Sequence, residues 1–143
     1  MLFDIKQVSL VLNGYTITGL TTDTDAIDVQ FNGDAGKWTI GASGKGIWVA
    51  NPDASGKLTI KVVQQHKDNA WLSNQFALQR SDPKSFTAYS MTIRDLLNND
   101  LVSGNKGYHS TPLKFTRGSQ HNAGTWVIEF ESLQQVLGQP YEN

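Results

Sequence analysis

The side chains able to do chemistry are few and poorly spaced for it. The histidines are His66, His109 and His121. Each lies in or beside a polar stretch, none at a metal-ligand interval from another, and all three read as solvated surface imidazoles. There is no cysteine, which removes disulfides, thiolate metal sites and a thiol nucleophile together. Serines are plentiful, but no G-x-S-x-G sequence sets one on a strained strand-to-helix turn. Asp23-Thr-Asp25-Ala-Ile-Asp28 has the carboxylate density of a calcium loop without its D-x-D-x-D-G order or closing Glu. It reads as turn carboxylates leading into the polar face of a strand. Gly41-Ala-Ser-Gly44-Lys45-Gly46 has the composition of a phosphate loop but lacks GxxxxGK[ST], and no helix pattern follows whose N-terminus would hold an anion. Glu129 and Glu131 share one strand face, whereas glycosidic cleavage needs two carboxyls in distinct environments across a cleft. The expectation is a protein that is not an enzyme, with no catalytic residue, no metal and no cofactor.

Four tryptophans remain. Trp71 and Trp126 fall on apolar faces and read as core. Trp38 and Trp48 flank the glycine-rich stretch, and three readings stay open for them: core packing, platforms for sugar stacking, or anchors for a neighbouring subunit.

Charge narrows the classes further. Twelve Lys and Arg stand against 13 Asp and Glu, a formal net charge of -1, with 17% charged residues. Such a balance argues against an electrostatic nucleic-acid binder and against a charge-solvated disordered chain. It also removes the self-repulsion that keeps copies apart, so self-association is permitted. At 143 residues the expectation is one domain, 1–143. Asp4, Lys6, Gln7 and Ser9 interrupt any signal-like apolar run in the first twelve residues, and no stretch is apolar for long enough to span a bilayer. The expected product is soluble and made in a cytoplasm, with no membrane binding.

The elements that must position these residues are mostly strands. Val8, Leu10 and Leu12 alternate, Asn13-Gly14 follows, then Tyr15-Thr-Ile17; Asn-Gly between strand-forming runs is the mark of a two-residue hairpin turn. Ala26 to Asn32 alternates, with Ile27, Val29 and Phe31 opposite Asp28 and Gln30. Gly33 to Gly46 contains five glycines and reads as a long flexible arm, with room for a short strand at Trp38-Thr-Ile40. Ile47-Trp-Val49 starts another strand, and Lys57 to Gln64 alternates cleanly. The period then changes: Trp71 with Leu78, and Leu72 with Phe76, lie on one helical face, giving a helix over Asp68–Arg80 capped by Asp68. Strands resume at Phe86 to Asp95, at Asp100 to Ser103, at Leu113 to Arg117 and at Thr125 to Leu133. Gly104-Asn-Lys-Gly107 reads as a turn, and Gln134 to Asn143 as a fraying tail. The fold class is mainly β: a β-sandwich or β-barrel with one flanking α-helix and a long glycine-rich loop.

The order of these features resembles the tail tube proteins of contractile-tailed bacteriophages. The similar stretches are Val8–Gly14 (VSLVLNG), Ala26–Trp48 (AIDVQFNGDAGKWTIGASGKGIW), Gly56–Leu72 (GKLTIKVVQQHKDNAWL) and Gly124–Leu133 (GTWVIEFESL). The resemblance implies homohexameric rings stacked into a hollow tube inside a contractile sheath, located in the virion tail and assembled in the host bacterial cytoplasm. The partners it implies are further copies of the chain, the tail sheath protein, baseplate or terminator proteins and a tape measure protein. DNA would pass through at genome ejection without stable binding. The arm then becomes the candidate contact to an adjacent subunit or ring: Asn32, Gly33, Asp34, Gly36, Lys37, Trp38, Gly41, Gly44, Lys45 and Gly46. Met1–Phe3 and the C-terminal tail are secondary candidates. Asp28, Gln30, Glu129 and Glu131 become candidates for the channel lining, which is expected to be negative and so to repel phosphates. The alternatives are a type VI secretion or tailocin tube protein, which is similar in architecture, and a carbohydrate-binding β-sandwich module using Trp38 and Trp48.

Overall fold

The computed structural model describes residues 1–140. A 3₁₀ turn, Ile5–Gln7, leads into strand β1 (Val8–Leu12), followed by β2 (Tyr15–Ile17), β3 (Ile27–Phe31), β4 (Gly36–Ile40), β5 (Gly46–Ala50) and β6 (Gly56–Val62). Helix α1 (Lys67–Ser81) is followed by β7 (Tyr89–Asp95), β8 (Asp100–Thr111) and β9 (Gly124–Val136). Seven strands form one antiparallel sheet in the order β2-β1-β7-β8-β9-β6-β3, and β4 pairs only with β5. The mainly β class with a single helix is as the sequence indicates. The architecture is one rolled sheet rather than two sheets face to face.

One face of every major strand turns inward. Leu10 and Leu12, Leu58, Ile60 and Val62, Tyr89, Met91 and Ile93, and Trp126, Ile128 and Phe130 belong to a single buried cluster. Residues from β1 and β6, far apart in the strand order, can meet there only because the sheet curls over itself. Beyond β2 the chain crosses at once to the other side of the roll, where Leu20 bridges Val62 and Thr21 N–H donates to the Lys61 carbonyl. The helix closes that end, burying Leu72 and packing Trp71, Phe76 and Leu78 on the cluster.

The corner is fixed by Asp68, which is fully buried. Its carboxylate accepts hydrogen bonds from Tyr15 Oη at 2.7 Å, Thr18 N at 2.8 Å and Gly19 N at 2.8 Å. The helix cap itself is His66, whose Nδ1 accepts from Asp68 N at 3.1 Å. The sequence assigns capping to Asp68; in the structure it is the second residue of the helix, two positions past the cap, because a buried crossing segment with unpaired N–H groups needs an anion more than the helix end does. Gly19 is obligatory here, since a Cβ would enter the His66 ring.

Three other expectations change. Gly104 to Gly107 is not a turn but part of β8 (Asp100–Thr111), where the strand bulges against β7 with Lys106 at φ 55°. Gly104 leaves room for the Phe130 and Leu133 side chains of β9, and Gly107 for Phe130, which a Cβ at these positions would meet. Leu113 to Arg117 alternates but forms no strand, because β8 and β9 already occupy each other's edges. Gln134 to Val136 extends β9 rather than fraying, and residues 141–143 of that tail lie outside the described residues.

His109 is a further correction, buried rather than solvated. Its Nε2 lies 2.7 Å from Tyr89 Oη, its ring packs on Phe76 and Trp126, and its Nδ1 has no hydrogen-bond partner in the described residues. Beyond the reach of β7, its backbone N–H and carbonyl are both satisfied by the Gln79 amide of α1, which replaces a strand partner. Burial pushes the imidazole down to about 4 from an ordinary 6.5, so the unfolded chain takes the proton before the native one does. The contribution is intact above about pH 6.5 and is lost as pH falls from there towards 4. The urea midpoint should therefore drop across that window, with about 2–3 kcal/mol attributable to this group, and His109→Phe should flatten that part of the profile.

Candidate functional site

The molecule has two ends. Register pairs Leu12 with Met91 and Val8 with Asp95, so the Asn13-Gly14 turn, α1 and residues 112–123 lie at one end. The turn 95–100 and the base of the β4–β5 hairpin lie at the other. At that second end the Leu96 N–H donates to the Gln7 carbonyl, Asn98 Nδ2 to the Leu2 carbonyl, and Gly138 N–H to Asp100 Oδ1.

The glycine-rich stretch is a β-hairpin rather than a flexible loop. Trp38 faces Trp48 and Ile40 faces Gly46 in register. Gly36 and Gly46 are required by this pairing: a Cβ at Gly36 would strike Trp48, and one at Gly46 would strike Ile40 and Trp38. The two indoles meet edge to face at 5.4 Å. The turn closes with Gly44 N–H on the Gly41 carbonyl at 2.9 Å and Gly44 at φ +85°. Asn32, Gly33 and Asp34 form the neck. Asn51 donates through Nδ2 to the Asp34 carbonyl, and Asn32 Nδ2 reaches Ser55 Oγ and Glu129 Oε1.

The hairpin projects without burying either face. Trp38 is 63% exposed, Trp48 49% and Ile47 70%, with Ile40 and Val49 also exposed. A lone two-stranded hairpin is marginal in water, and an apolar one raises the question of what covers it. Of the three readings open for Trp38 and Trp48, core packing is excluded by this exposure, while Trp126 is core and Trp71 stacks on Tyr15 at 4.2 Å.

Asp28, Gln30, Glu129 and Glu131 come together on the outer face of the roll. Gln30 stands opposite Lys57, Lys57 opposite Glu129 and Glu129 opposite Tyr108. The face is mixed in sign where the sequence suggests an acidic one. Lys61 pairs with Asp25 at 2.8 Å and Lys106 with Glu131 at 3.4 Å. Cross-strand partners are what the linear sequence does not display, so the interleaved lysines are missed there.

Among the described residues no cluster of His, Asp or Glu is arranged to hold a metal, and no helix is long and apolar enough to cross a membrane. The family described as bacteriophage PhiTE tail tube protein has a model that matches residues 7–138. No curated protein matches the chain significantly.

Proposed function

The chain belongs to the bacteriophage PhiTE tail tube protein family, a structural component of the virion tail, and on that premise we propose that its copies close into hexameric rings that stack as the inner tube of a contractile tail. The observation that carries this reading is the hairpin, an apolar two-stranded element with no surface of its own chain to rest on. A second observation supports ring closure. The sheet ends in β3 on one side and the three-residue β2 on the other, and edges of this kind are satisfied when copies pair laterally. The arm from Asn32 to Gly46, with the rest of β5, is the contact to the adjacent subunit or ring, with Met1–Phe3 as a further contact.

The face carrying Asp28, Gln30, Glu129 and Glu131 lines the channel. Its lysines are matched by carboxylates: Lys61 by Asp25, Lys106 by Glu131, and Lys57 by Glu129 across the ladder. Affinity for nucleic acid comes mainly from cations released onto phosphates, so compensated lysines let DNA slide past without sticking. The sheath, a tape measure protein and baseplate or terminator proteins are the tail partners, and assembly takes place in the host cytoplasm.

Electron microscopy of the purified chain at rising concentration tests this. Hollow tubes of stacked rings are the expected result, and particles that stay single at millimolar concentration would remove the proposal. A carbohydrate-binding role for Trp38 and Trp48 predicts the latter outcome, together with glycan binding lost on Trp48→Ala.

A further inference from the structure

We infer that the Trp38/Trp48 face of the hairpin is received by the end of a second copy that carries the turn 95–100, and not by the helix end. The inference rests on the tube reading and adds to it which surface receives the arm.

Two exposed surfaces are candidates, and their chemistry separates them. At the turn 95–100, the side chains of Phe3, Ile5, Leu96, Val136 and Leu137 are all exposed, with Phe3 at 64% and Leu137 at 69%. Hydrogen bonds tie this surface together: the Leu96 N–H donates to the Gln7 carbonyl and the Gly138 N–H to the Asp100 carboxylate. It is an apolar patch on an ordered support. At the helix end, the one large apolar side chain that is strongly exposed among the described residues is Phe115, and the Arg117 guanidinium lies over its ring at 4.2 Å.

Charge points the same way. From Gly36 to Ala50 the hairpin carries Lys37 and Lys45 and no carboxylate, and both lysines are exposed. The helix end presents Lys67, Arg80, Lys84, Lys114 and Arg117 against Asp82, and its net positive charge repels the hairpin. The turn 95–100 and its surroundings hold Asp4, Asp95 and Asp100 against Lys6 and Arg94, and with Asp95 buried this end is close to balanced. Like charges brought together across an interface are costly, and opposite ones steer the encounter. An apolar hairpin with a cationic tip therefore fits the apolar, charge-balanced end better than the cationic helix end.

Lateral position makes a second copy the natural occupant. The hairpin leaves from β3 and β6, at one side of the sheet, whereas Ile5 and Leu96 sit beyond β1 and β7 towards the other. In the chain's own structure the hairpin residues are exposed throughout β5 and almost throughout β4, so the hairpin is not folded onto its own patch. A neighbour placed side by side in the same orientation brings its patch towards the hairpin.

The absence of native cysteine makes a disulfide test clean. Ile40→Cys is mixed in turn with Leu96→Cys and with Phe115→Cys, the mixtures are oxidised mildly under assembly conditions, and mixed dimers are counted by mass and tubes by microscopy. The expected result is at least tenfold more Ile40→Cys/Leu96→Cys dimer than Ile40→Cys/Phe115→Cys dimer, in material that forms tubes. Tubes with cross-linking to Phe115→Cys, or with equal yields, overturn the inference and leave the tube standing. Preferred cross-linking to Leu96→Cys without tubes supports the contact and removes the tube. Neither tubes nor cross-links removes both. An Ile40→Cys/Leu96→Cys double variant that closes its disulfide within one monomer overturns the inference as well, by placing the hairpin on its own patch.

Discussion

Replacing Asp68 by alanine should cost about 3–5 kcal/mol, a large share of the 5–15 kcal/mol by which a domain is usually stable. The side chain is fully buried and accepts from Tyr15 Oη, Thr18 N and Gly19 N at once. Hydrogen bonds to a charged acceptor are each worth about 1.5–3 kcal/mol, and removing the acceptor leaves the Gly19 N–H buried and unpaired. Three elements lose their common tie: β2, the crossing segment that reaches Val62, and the first turn of α1. Asp68→Asn should cost less than alanine yet still destabilise: its oxygen can take the two N–H groups that share Oδ2 and its amide nitrogen then faces the Tyr15 hydroxyl, but the charge that strengthens all three bonds is gone. Tyr15→Phe removes one bond and should cost about 1–2 kcal/mol. Urea unfolding of the three variants measures this directly. Equal and small losses for all three would show that the corner is held by packing alone.

Excising residues 36–50 should leave the fold almost untouched and abolish tube assembly. The neck makes the excision possible, since the Asn51 N–H already meets the Ala35 carbonyl at 2.8 Å and a two-residue Asn-Gly turn can join them. Because both hairpin faces are exposed, the core loses no apolar contact and stability should move by less than about 1 kcal/mol. Assembly is different. Burying two tryptophans and the adjoining aliphatics against another copy stabilises each contact by about 3 kcal/mol or more, so the critical concentration should rise by at least about a hundredfold. Pelleting and microscopy across a concentration series read the effect. Long tubes from the shortened chain at the original concentration would show that the hairpin is not the assembly arm.

Much of the fold is legible in the residues wherever alternation has a single cause. Asn13-Gly14 has φ of 49° and 82°, the doubly positive turn that the dipeptide signals. The inward faces of β1, β6, β7 and β9 follow their apolar period. The errors share a cause in residues whose role depends on a cross-strand neighbour. Gly104 and Gly107 read as a turn because glycine usually marks one, yet they accommodate Phe130 and Leu133. Gly36 and Gly46 do the same for Trp48 and Trp38, which is why a stretch read as a flexible arm holds a regular hairpin. His109 looks solvated because Tyr108 and Ser110 are polar or amphipathic. On a strand those neighbours point out, and the imidazole points in to Tyr89. The polar face behaves similarly: Glu129 and Glu131 are visible as neighbours in sequence, but Lys57 and Lys106 become their neighbours only once register is known. The tail-tube role was legible only through the resemblance of the stretches from Val8 to Leu133, since alternation and charge alone reach no further than a β-rich chain free to self-associate.

The claim that copies complete one another's edges is tested most directly by amide hydrogen exchange, compared between dilute monomer and assembled material. N–H groups of β3 facing away from β6, together with those on the outer edges of β4 and β5, should exchange freely in the monomer and become strongly protected on assembly, while the β8–β9 ladder is protected in both. Edge amides that exchange at one and the same rate in monomer and tube would contradict it.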